Sequence, residues 1–359
     1  MADSRLVYIG TYTGGGSKGI YAARYDSETG ALNDLRLAAE TQNPTFLALH
    51  PRGKHLYAVG EVGNWEGEKT GTLAAFEIGS EGSLRFLNRQ VTKGPGTCHV
   101  SVDRSGRCVA ASNYSGGSVA LFPIQSDGSL GGASGFSQHE GSGPHPKRQQ
   151  RAFAHSSTFD PTNKFVFTCD LGIDKVLSYR VDPGEGTLEP NEPPFARLHP
   201  GAGPRHMAFH PDGRFAYVIN ELDCTLTVFG YDAEFGALTE LQTVAALPAG
   251  TEVTDKDTCA DIHVHPNGRF VYGSNRGHDS IVVYAIDSAT GKLAHVMHES
   301  TKGQCPRNFA LDPDGQFLLA ANQNSDSIVS FRLDDDGARL TPAGKVTQVA
   351  KPVCIAFGV

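Results

Sequence analysis

The chain has 359 residues, of which 39% are hydrophobic, and its 42 glycines and 20 prolines are typical of a globular protein with many turns. Its formal net charge of −8 argues against nucleic acid or an anionic membrane surface as the main partner. No apolar run approaches the roughly 20 residues that a membrane-spanning helix requires.

The N-terminal segment predicts three consecutive β-strands, at 6–12, 19–25 and 32–39. Residues 1–5 lead directly into the run Leu6-Val7-Tyr8-Ile9, and no secretory signal is recognisable there. We therefore expect a cytoplasmic protein.

From residue 50 onward, a turn phrase recurs about every 50 residues. Its clearest copies are HPDGRF at 210–215, HPNGRF at 265–270 and DPDGQF at 312–317, with looser copies beginning at 50, 103 and 160. Proline presets φ and glycine accepts a positive φ, so each copy predicts a tight turn between two strands. Short strands repeated at this spacing are typical of a β-propeller.

One repeat unit predicts four strands, at 205–209, 215–219, 225–231 and 238–244, which form one antiparallel blade. Six blades follow this pattern, with first strands beginning near Thr45, Cys98, His155, Arg205, Ile262 and Arg307. A seventh blade combines the three N-terminal strands with 352–357, which closes the ring and leaves no open sheet edge between blades. The prediction is an all-β, seven-bladed propeller of four-stranded antiparallel blades, a single domain over residues 1–359.

This topology predicts which face of the ring carries function. The Pro-Asp-Gly turns lie on one face, called the bottom, and the long connections 62–72, 131–154 and 249–261 lie on the opposite, top face. Long loops on a rigid scaffold are where functional residues usually lie. The first strands line the axis, so their starting residues are expected to ring a central funnel.

Polar and ionisable side chains are predicted at two sets of top-face positions. The starts of the first strands carry His99, His155, Arg205, His206, His263 and Arg307. The ends of the second strands carry Glu61, Asn113, Asp170, Glu221, Arg276 and Asn322. Such a funnel favours a small, polar and anionic ligand. The alternative is that these side chains only solvate the loop rim.

The cysteines do not indicate a cofactor. Seven are scattered along the chain, none in a CxxC pair, and no HExxH motif occurs. We expect free structural thiols in a reducing compartment, with no metal site and no cofactor.

Several stretches resemble the seven-bladed lactonase propellers, a family that includes bacterial 6-phosphogluconolactonase and fungal 3-carboxy-cis,cis-muconate cyclase. They are GPRHMAFHP at 203–211 leading to NEL at 220–222, SNR at 274–276, and His155 ahead of DLGID at 170–174. The resemblance covers essentially the whole chain and implies that His155, Arg205, Glu221 and Arg276 are the catalytic residues. The family often has His-Ala-His where this chain has Phe153-Ala154-His155.

The resemblance implies hydrolysis of a sugar lactone, with 6-phospho-D-glucono-1,5-lactone as the preferred substrate, without a metal or a covalent intermediate. His155 is one candidate for the general base, and Glu221 is the other if burial raises its pKa. Arg205 and Arg276 would bind the oxyanion or a substrate anion. Lys147, Arg148 and Arg151, on the long top connection before His155, are candidates for contacting a substrate phosphate.

Two other functions stay open at this point. A cycloisomerase that closes 3-carboxy-cis,cis-muconate to its lactone could use the same four residues. A propeller can also be a non-catalytic binding platform, although such a surface would more often present apolar or aromatic loops than a charged funnel. Ring closure leaves no edge that requires a partner, so we expect a monomer.

Overall fold

The computed structural model describes residues 5–334 and 336–358 of the chain. The predicted domain 1–359 also includes residues 1–4, 335 and 359, which lie outside the described residues. The described residues form β-strands and two short 3₁₀ turns, Ser80–Gly82 and Gln323–Ser325. None of the helical segments in this part of the chain is long and apolar enough to span a membrane.

The strands recur in groups of four along the chain. In the first half they are β1 Arg5–Thr11, β2 Gly19–Tyr25, β3 Leu32–Glu40, β4 Leu47–Leu49, β5 His55–Gly60, β6 Thr72–Ile78, β7 Leu84–Val91, β8 Thr97–Val102, β9 Cys108–Asn113, β10 Ser118–Pro123, β11 Gly135–Gln138, β12 Ala154–Phe159, β13 Phe165–Asp170, β14 Lys175–Asp182 and β15 Thr187–Arg197. In the second half they are β16 Pro204–Phe209, β17 Phe215–Asn220, β18 Thr225–Asp232, β19 Ala237–Ala245, β20 Thr258–Val264, β21 Phe270–Arg276, β22 Ser280–Ile286, β23 Leu293–Ser300, β24 Pro306–Leu311, β25 Phe317–Asn322, β26 Ser327–Leu333, β27 Leu340–Gln348 and β28 Pro352–Phe357.

These strands pair into seven antiparallel sheets of four, which are the blades of a propeller. Six blades use consecutive strands, from β4–β7 to β24–β27, and the first blade has the order β28-β1-β2-β3. The last strand of the chain therefore pairs with the first, with Ile9 opposite Ile355. The predicted fold, including ring closure by the chain ends, is confirmed.

The core lies between neighbouring blades. The second strand of a blade is covered on both faces, and every residue of β9, β13, β17 and β25 is buried. Outer strands such as β19 have mostly partly buried and exposed residues. Ring closure has its own cluster, in which Ile9 and Ile355 pack with Phe317 of the last blade. Apolar burial between blades thus holds the ring together.

The bottom turns join neighbouring blades. In three of these turns, Nε2 of a histidine lies within hydrogen-bonding distance of a glycine carbonyl oxygen in the next blade's turn. The distances are 3.1 Å for His50, 2.7 Å for His210 and 2.9 Å for His265. At the same turn position, Asp103 accepts hydrogen bonds from backbone amides of its own turn, including Cys108 at 2.7 Å. These are the turn roles that the repeated phrase predicts.

Two predicted boundaries are wrong. The first strand of the sixth blade begins at Thr258, four residues before the expected Ile262. The expected top connection 131–154 contains the outer strand β11, because Ala120 pairs with Phe136 in a short ladder. A strand of four residues that follows a glycine-rich segment gives little periodic signal.

Candidate active site

A β-bulge near the start of the innermost strand sets the direction of one side chain in several blades. In β12, Ala154 pairs with Asp170 and Ser156 pairs with Cys169, so His155 is left unpaired. The same irregularity leaves Arg205 unpaired in β16 and Arg307 unpaired in β24. Because a bulge bends the strand and redirects its side chain, equivalent residues of different blades converge at the axis.

The ends of the second strands contribute the opposing wall of the site. The residues that reach it lie one position after the last paired residue of each strand, whereas the prediction took the last paired residue itself in three blades. The last paired residues are equivalent in register: Asn113, Asp170, Asn220, Asn275 and Asn322. In five blades, the residue directly after the last paired position reaches the site. These residues are Tyr12, Glu61, Tyr114, Glu221 and Arg276. The predicted set mixed these two positions, and in a strand a shift of one residue turns a side chain to the other face.

Asn113, Asp170 and Asn322 therefore do not line the cavity, contrary to the prediction. Each is fully buried and fastens a top connection to its blade. The Asn113 amide donates to the Thr92 carbonyl at 2.9 Å, and the Asn322 amide donates to the Thr301 carbonyl at 3.2 Å. Asp170 Oδ1 accepts the Phe153 backbone N–H at 2.7 Å, which fixes the segment just before His155.

The redirected side chains enclose an axial cavity of about 270 Å³ that opens on the top face. Its lining residues are Glu61, Cys98, Tyr114, Arg148, His155, Glu221, Thr258, Arg276 and Arg307. Arg205 lies beneath this lining, in contact with Glu221. Four guanidinium groups thus meet two carboxylates at the cavity, an excess of two positive charges.

Glu221 is the electrostatic centre of this cavity. Its Oε2 lies 3.0 Å from Nε of Arg205 and 3.0 Å from Nη2 of Arg276, and its Oε1 accepts from Nη2 of Arg148. Burial alone would raise the pKa of Glu221, but the charges of Arg276, Arg205 and Arg148 outweigh it and hold the pKa well below its usual range. Glu221 is therefore ionised, with both oxygens committed to guanidinium groups.

A chain of hydrogen bonds fixes Arg205 from below. Its Nη1 donates to the Ala260 carbonyl at 2.5 Å and lies 3.2 Å from Nε2 of His206, whose Nδ1 lies 2.7 Å from Oδ1 of Asp261. Burial and the charge of Arg205 lower the pKa of His206 to about 4, so this imidazole is neutral and accepts from the guanidinium. Burial and repulsion from Arg276 and Arg307 lower the pKa of Arg205 to about 10, which leaves it protonated near neutral pH.

His155 is the one imidazole on the cavity lining. Its side chain is buried, and its Nδ1 has no hydrogen-bond partner among residues 5–334 and 336–358. Burial, followed by the positive charge of Arg205 and its neighbours, lowers the pKa of His155 well below 6.5. The ring is therefore neutral at physiological pH and free to accept a proton.

Aromatic rings close the axis below the cavity. The ring centroids of His99 and Phe46 are 4.3 Å apart, and His206 lies 5.3 Å from His99 and 5.2 Å from His155. His263 lies beyond this layer, where its Nε2 is 3.2 Å from Oδ2 of Asp261. His99, His206 and His263 were predicted to bind substrate, but none of them lines the axial cavity, because each is at or below its floor.

The second carboxylate, Glu61, is bound by hydroxyl groups. Tyr12 donates to Oε1 at 2.8 Å, Thr45 donates to Oε2 at 2.6 Å, and the guanidinium of Arg307 lies 5.6 Å from the centre of the Tyr12 ring. The sequence interpretation missed Tyr12 and the cavity-lining Tyr114. Both would have been found by taking the residue after each second strand consistently.

The three basic residues of the long top connection have different positions. Arg148 lines the axial cavity, and its Nη2 lies 3.3 Å from the Tyr114 hydroxyl. Lys147 lines a neighbouring cleft on the rim, which shares Arg148 with the axial cavity. Arg151 lies outside both clefts, with its guanidinium 5.0 Å from the ring centre of Phe153. Phe153 in turn stacks on Tyr114 at 4.9 Å.

The cysteines are all free thiols, six of them buried. Within the described part of the chain, no group of three or more His, Cys, Asp or Glu residues is placed to hold a metal ion. The expectation of a reaction without metal or cofactor stays a prediction.

Comparisons with known proteins agree with this architecture. A family model described as "Lactonase, 7-bladed beta-propeller" matches residues 6–357. The chain is 42% identical over 351 residues to 6-phosphogluconolactonase of Bacillus subtilis (strain 168), covering 98% of this chain and 97% of the relative. It is 36% identical over 312 residues to 6-phosphogluconolactonase of Formosa agariphila, covering 85% and 86%.

A solved structure is similar to this chain over nearly its whole length. The Pseudomonas aeruginosa periplasmic gluconolactonase superposes with a TM-score of 0.92 at 34% identity, covering 99% of both chains.

Replacing the central carboxylate tests the electrostatic description. Glu221→Gln leaves three guanidinium groups without their shared counter-charge, and we expect it to lower the free energy of unfolding by about 3–5 kcal/mol at pH 7. Urea denaturation measures this.

The matched control is Glu61→Gln, whose carboxylate accepts hydrogen bonds from hydroxyl groups and forms no salt bridge with a described residue; this substitution is expected to cost about 1.5–3 kcal/mol and less than Glu221→Gln. Because the pKa of Glu221 is depressed below 4.5, its stabilisation is complete above that pH and is lost as the pH falls further. Equal stability of the two variants would contradict the description.

Proposed function

Because the chain belongs to the seven-bladed β-propeller lactonase family, we propose that it hydrolyses a sugar lactone in the axial cavity, with 6-phospho-D-glucono-1,5-lactone as the substrate. One observation carries the proposal: a neutral imidazole without a partner, His155, lies on the same lining as a carboxylate held by three guanidinium groups. The excess of positive charge suits a substrate that carries a phosphate and develops an oxyanion during the reaction.

In the proposed first step, His155 accepts a proton from a water molecule that attacks the lactone carbonyl carbon. Of the two candidates for the base, His155 is favoured because its ring is neutral and has no competing partner. Glu221 is disfavoured because its three guanidinium partners hold its pKa well below its usual range. General-base catalysis of this kind contributes typically 10² to 10⁴-fold in rate.

The negative charge on the carbonyl oxygen is proposed to be stabilised by Arg276 with Arg307. Both line the cavity, whereas Arg205 lies beneath it, and Nη2 of Arg276 is held by Glu221 and by the Cys259 carbonyl oxygen at 2.7 Å. In Arg205, Nε donates to Glu221, and Nη1 donates to His206 and to the Ala260 carbonyl oxygen. We therefore propose that Arg205 positions Glu221 and does not contact the oxyanion. Fixed guanidinium groups in a partly enclosed site need no reorganisation as the charge develops.

Collapse of the tetrahedral intermediate breaks the bond between the carbonyl carbon and the ring oxygen. The imidazolium of His155 returns its proton to the leaving alkoxide, which becomes a hydroxyl group, and the other product group is a carboxylic acid that ionises in solvent. One water molecule is consumed, and the enzyme returns to its starting protonation state. In this scheme, Arg148 and Lys147 on the rim bind the phosphate.

We further propose that the protein acts as a cytoplasmic monomer and a single functional domain, without metal or cofactor. Seven free thiols suit a reducing compartment. The pairing of β28 with β1 leaves the ring without an edge that requires a second chain.

Substitution of two residues tests the proposed function. We expect His155→Ala and Arg205→Ala each to lower kcat/KM at least about a hundredfold, because one loses the base and the other loses the support of Glu221. The assay follows acid release with a pH indicator for 6-phosphogluconolactone and δ-gluconolactone, and absorbance for 3-carboxy-cis,cis-muconate.

The control for these substitutions is His295→Ala, an exposed imidazole on the outer strand β23 that is expected to keep wild-type activity. Unchanged lactonase activity in both cavity variants would refute the site. Turnover of the muconate alone would instead assign a cycloisomerase.

The dependence of rate on pH tests the base. Only neutral His155 accepts a proton, and its pKa lies below 6.5, so kcat/KM should stay constant as the pH falls to 6.5 and decline only below it. A bound phosphate offsets the surrounding positive charge, so the acid limb of kcat should lie at higher pH than that of kcat/KM. Initial rates, corrected for spontaneous hydrolysis, measure both limbs. An acid limb of kcat/KM centred above pH 6.5 would exclude His155 as described.

A further inference from the structure

A second polar cleft lies on the bottom face, between the blades β4–β7 and β8–β11. Its volume is about 290 Å³, similar to that of the axial cavity. It is lined by His50, Arg52, Lys54, His55, Ser105, Gly106, Arg107, Ile124, Gln125, Ser126 and Gly128. None of these residues belongs to the top-face site, so the cleft is separate from the proposed catalytic centre.

Three cations on this lining have no counter-charge. The side chains of Arg52, Lys54 and Arg107 are exposed, and each lies in a bottom turn. Among the residues that the structure describes, they make no side-chain hydrogen bond and no ion pair. Their positive charges, which form no ion pair with a described residue, favour an anion at this cleft in a protein whose net charge is −8.

The nearby carboxylates are already engaged. Asp103 is fully buried and accepts backbone hydrogen bonds, including those of Arg107 at 2.5 Å and Cys108 at 2.7 Å. Asp127 accepts the hydroxyl of Ser129 at 2.7 Å. Glu77 pairs with Arg85 on the outer strand. None of these groups bonds to the three cations.

In two other blades the basic residue of the equivalent turn is paired with a carboxylate. In the turn at 210–215, Arg214 pairs with Asp212 at 2.6 Å, and in the next blade Arg269 pairs with Asp336 at 2.8 Å. In the turn at 50–54, Arg52 occupies the position of Asp212, and Lys54 occupies the position of Arg214. Lys164, in the turn at 160–165, also forms no ion pair among the described residues, so what distinguishes this cleft is that three such cations share one lining.

The walls of the cleft are rigid. His50 accepts the Arg52 backbone N–H at Nδ1, 3.0 Å, and its Nε2 lies 3.1 Å from the Gly106 carbonyl oxygen. A Cβ atom on Gly106 would lie 2.3 Å from the His50 ring, and one on Gly128 would lie 2.1 Å from the His55 ring. Close contact with glycine backbone on both sides fixes the imidazoles, which reduces the ordering cost of binding.

We propose that this bottom cleft is a second binding site, specific for the phosphate monoester group of a small metabolite. Two guanidinium groups and one ammonium group match the charge and the several acceptor oxygens of a phosphate dianion. The Ser126 hydroxyl and the Gln125 amide lie beside them on the lining and can bond to the rest of the ligand. The cleft is large enough for a sugar phosphate, and none of its lining residues carries a carboxylate.

Calorimetric titration of the full chain with glucose 6-phosphate, inorganic phosphate and glucose tests the site. We expect binding of glucose 6-phosphate at least as tight as that of inorganic phosphate, and no binding of glucose. Lys147→Ala/Arg148→Ala, which removes the proposed phosphate contacts of the axial site, should retain this binding event. Arg52→Glu/Arg107→Glu should weaken it at least about tenfold, because each lost charge-assisted hydrogen bond contributes about 1.5–3 kcal/mol.

The matched control is Arg214→Glu/Arg269→Glu, which makes the same charge change on the same face and should leave the affinity within about twofold. Lactonase activity should be unchanged in the two charge-reversed double variants. Three results would overturn the proposal: equal weakening in the two charge-reversed double variants, loss of all phosphate binding in Lys147→Ala/Arg148→Ala, or equal affinity for glucose and glucose 6-phosphate.

Discussion

The arrangement at the axis depends on one buried carboxylate. Arg148, Arg205 and Arg276 come from three different parts of the ring, and all three meet Glu221. Without that negative charge, three guanidinium groups would face one another across a cavity of about 270 Å³. The carboxylate therefore permits a density of positive charge that the cavity would not otherwise tolerate, and it fixes where each guanidinium lies.

The same charges decide which group can act as a base. Burial raises the pKa of a carboxyl group, and that effect alone would make Glu221 a plausible proton acceptor. The surrounding cations outweigh burial at Glu221 and lower its pKa. At His155, burial and the cations act in the same direction, and both lower the pKa. Near neutral pH the result is an ionised carboxylate and an imidazole that is neutral before the reaction begins. Glu221 is thereby suited to organising the cations, and His155 to accepting a proton.

The fold could be predicted from the sequence because its signal is repetitive. The repeated turn phrase, in strict or looser form, marks one bottom corner in each of six blades, and the strands of the seventh follow from the chain ends. The site was predictable only in part. His155, Glu221 and Arg276 lie on the cavity lining as expected, whereas Asn113, Asp170 and Asn322 do not. Because side chains alternate between the two faces of a strand, an error of one residue places a side chain on the wrong face. A single sequence also carries no signature of the bulge at His155 or of the contact between His99 and Phe46 that closes the axis below the cavity.

A crystal structure of the protein with bound 6-phosphogluconate tests the central claim most directly. The account predicts the product in the axial cavity, with its carboxylate within hydrogen-bonding distance of Arg276 and of the His155 ring, and Glu221 still bound to Arg205. The phosphate should lie at the rim beside Arg148 and Lys147. A product bound elsewhere on the ring, or a carboxylate more than about 6 Å from both His155 and Arg276, would contradict the account.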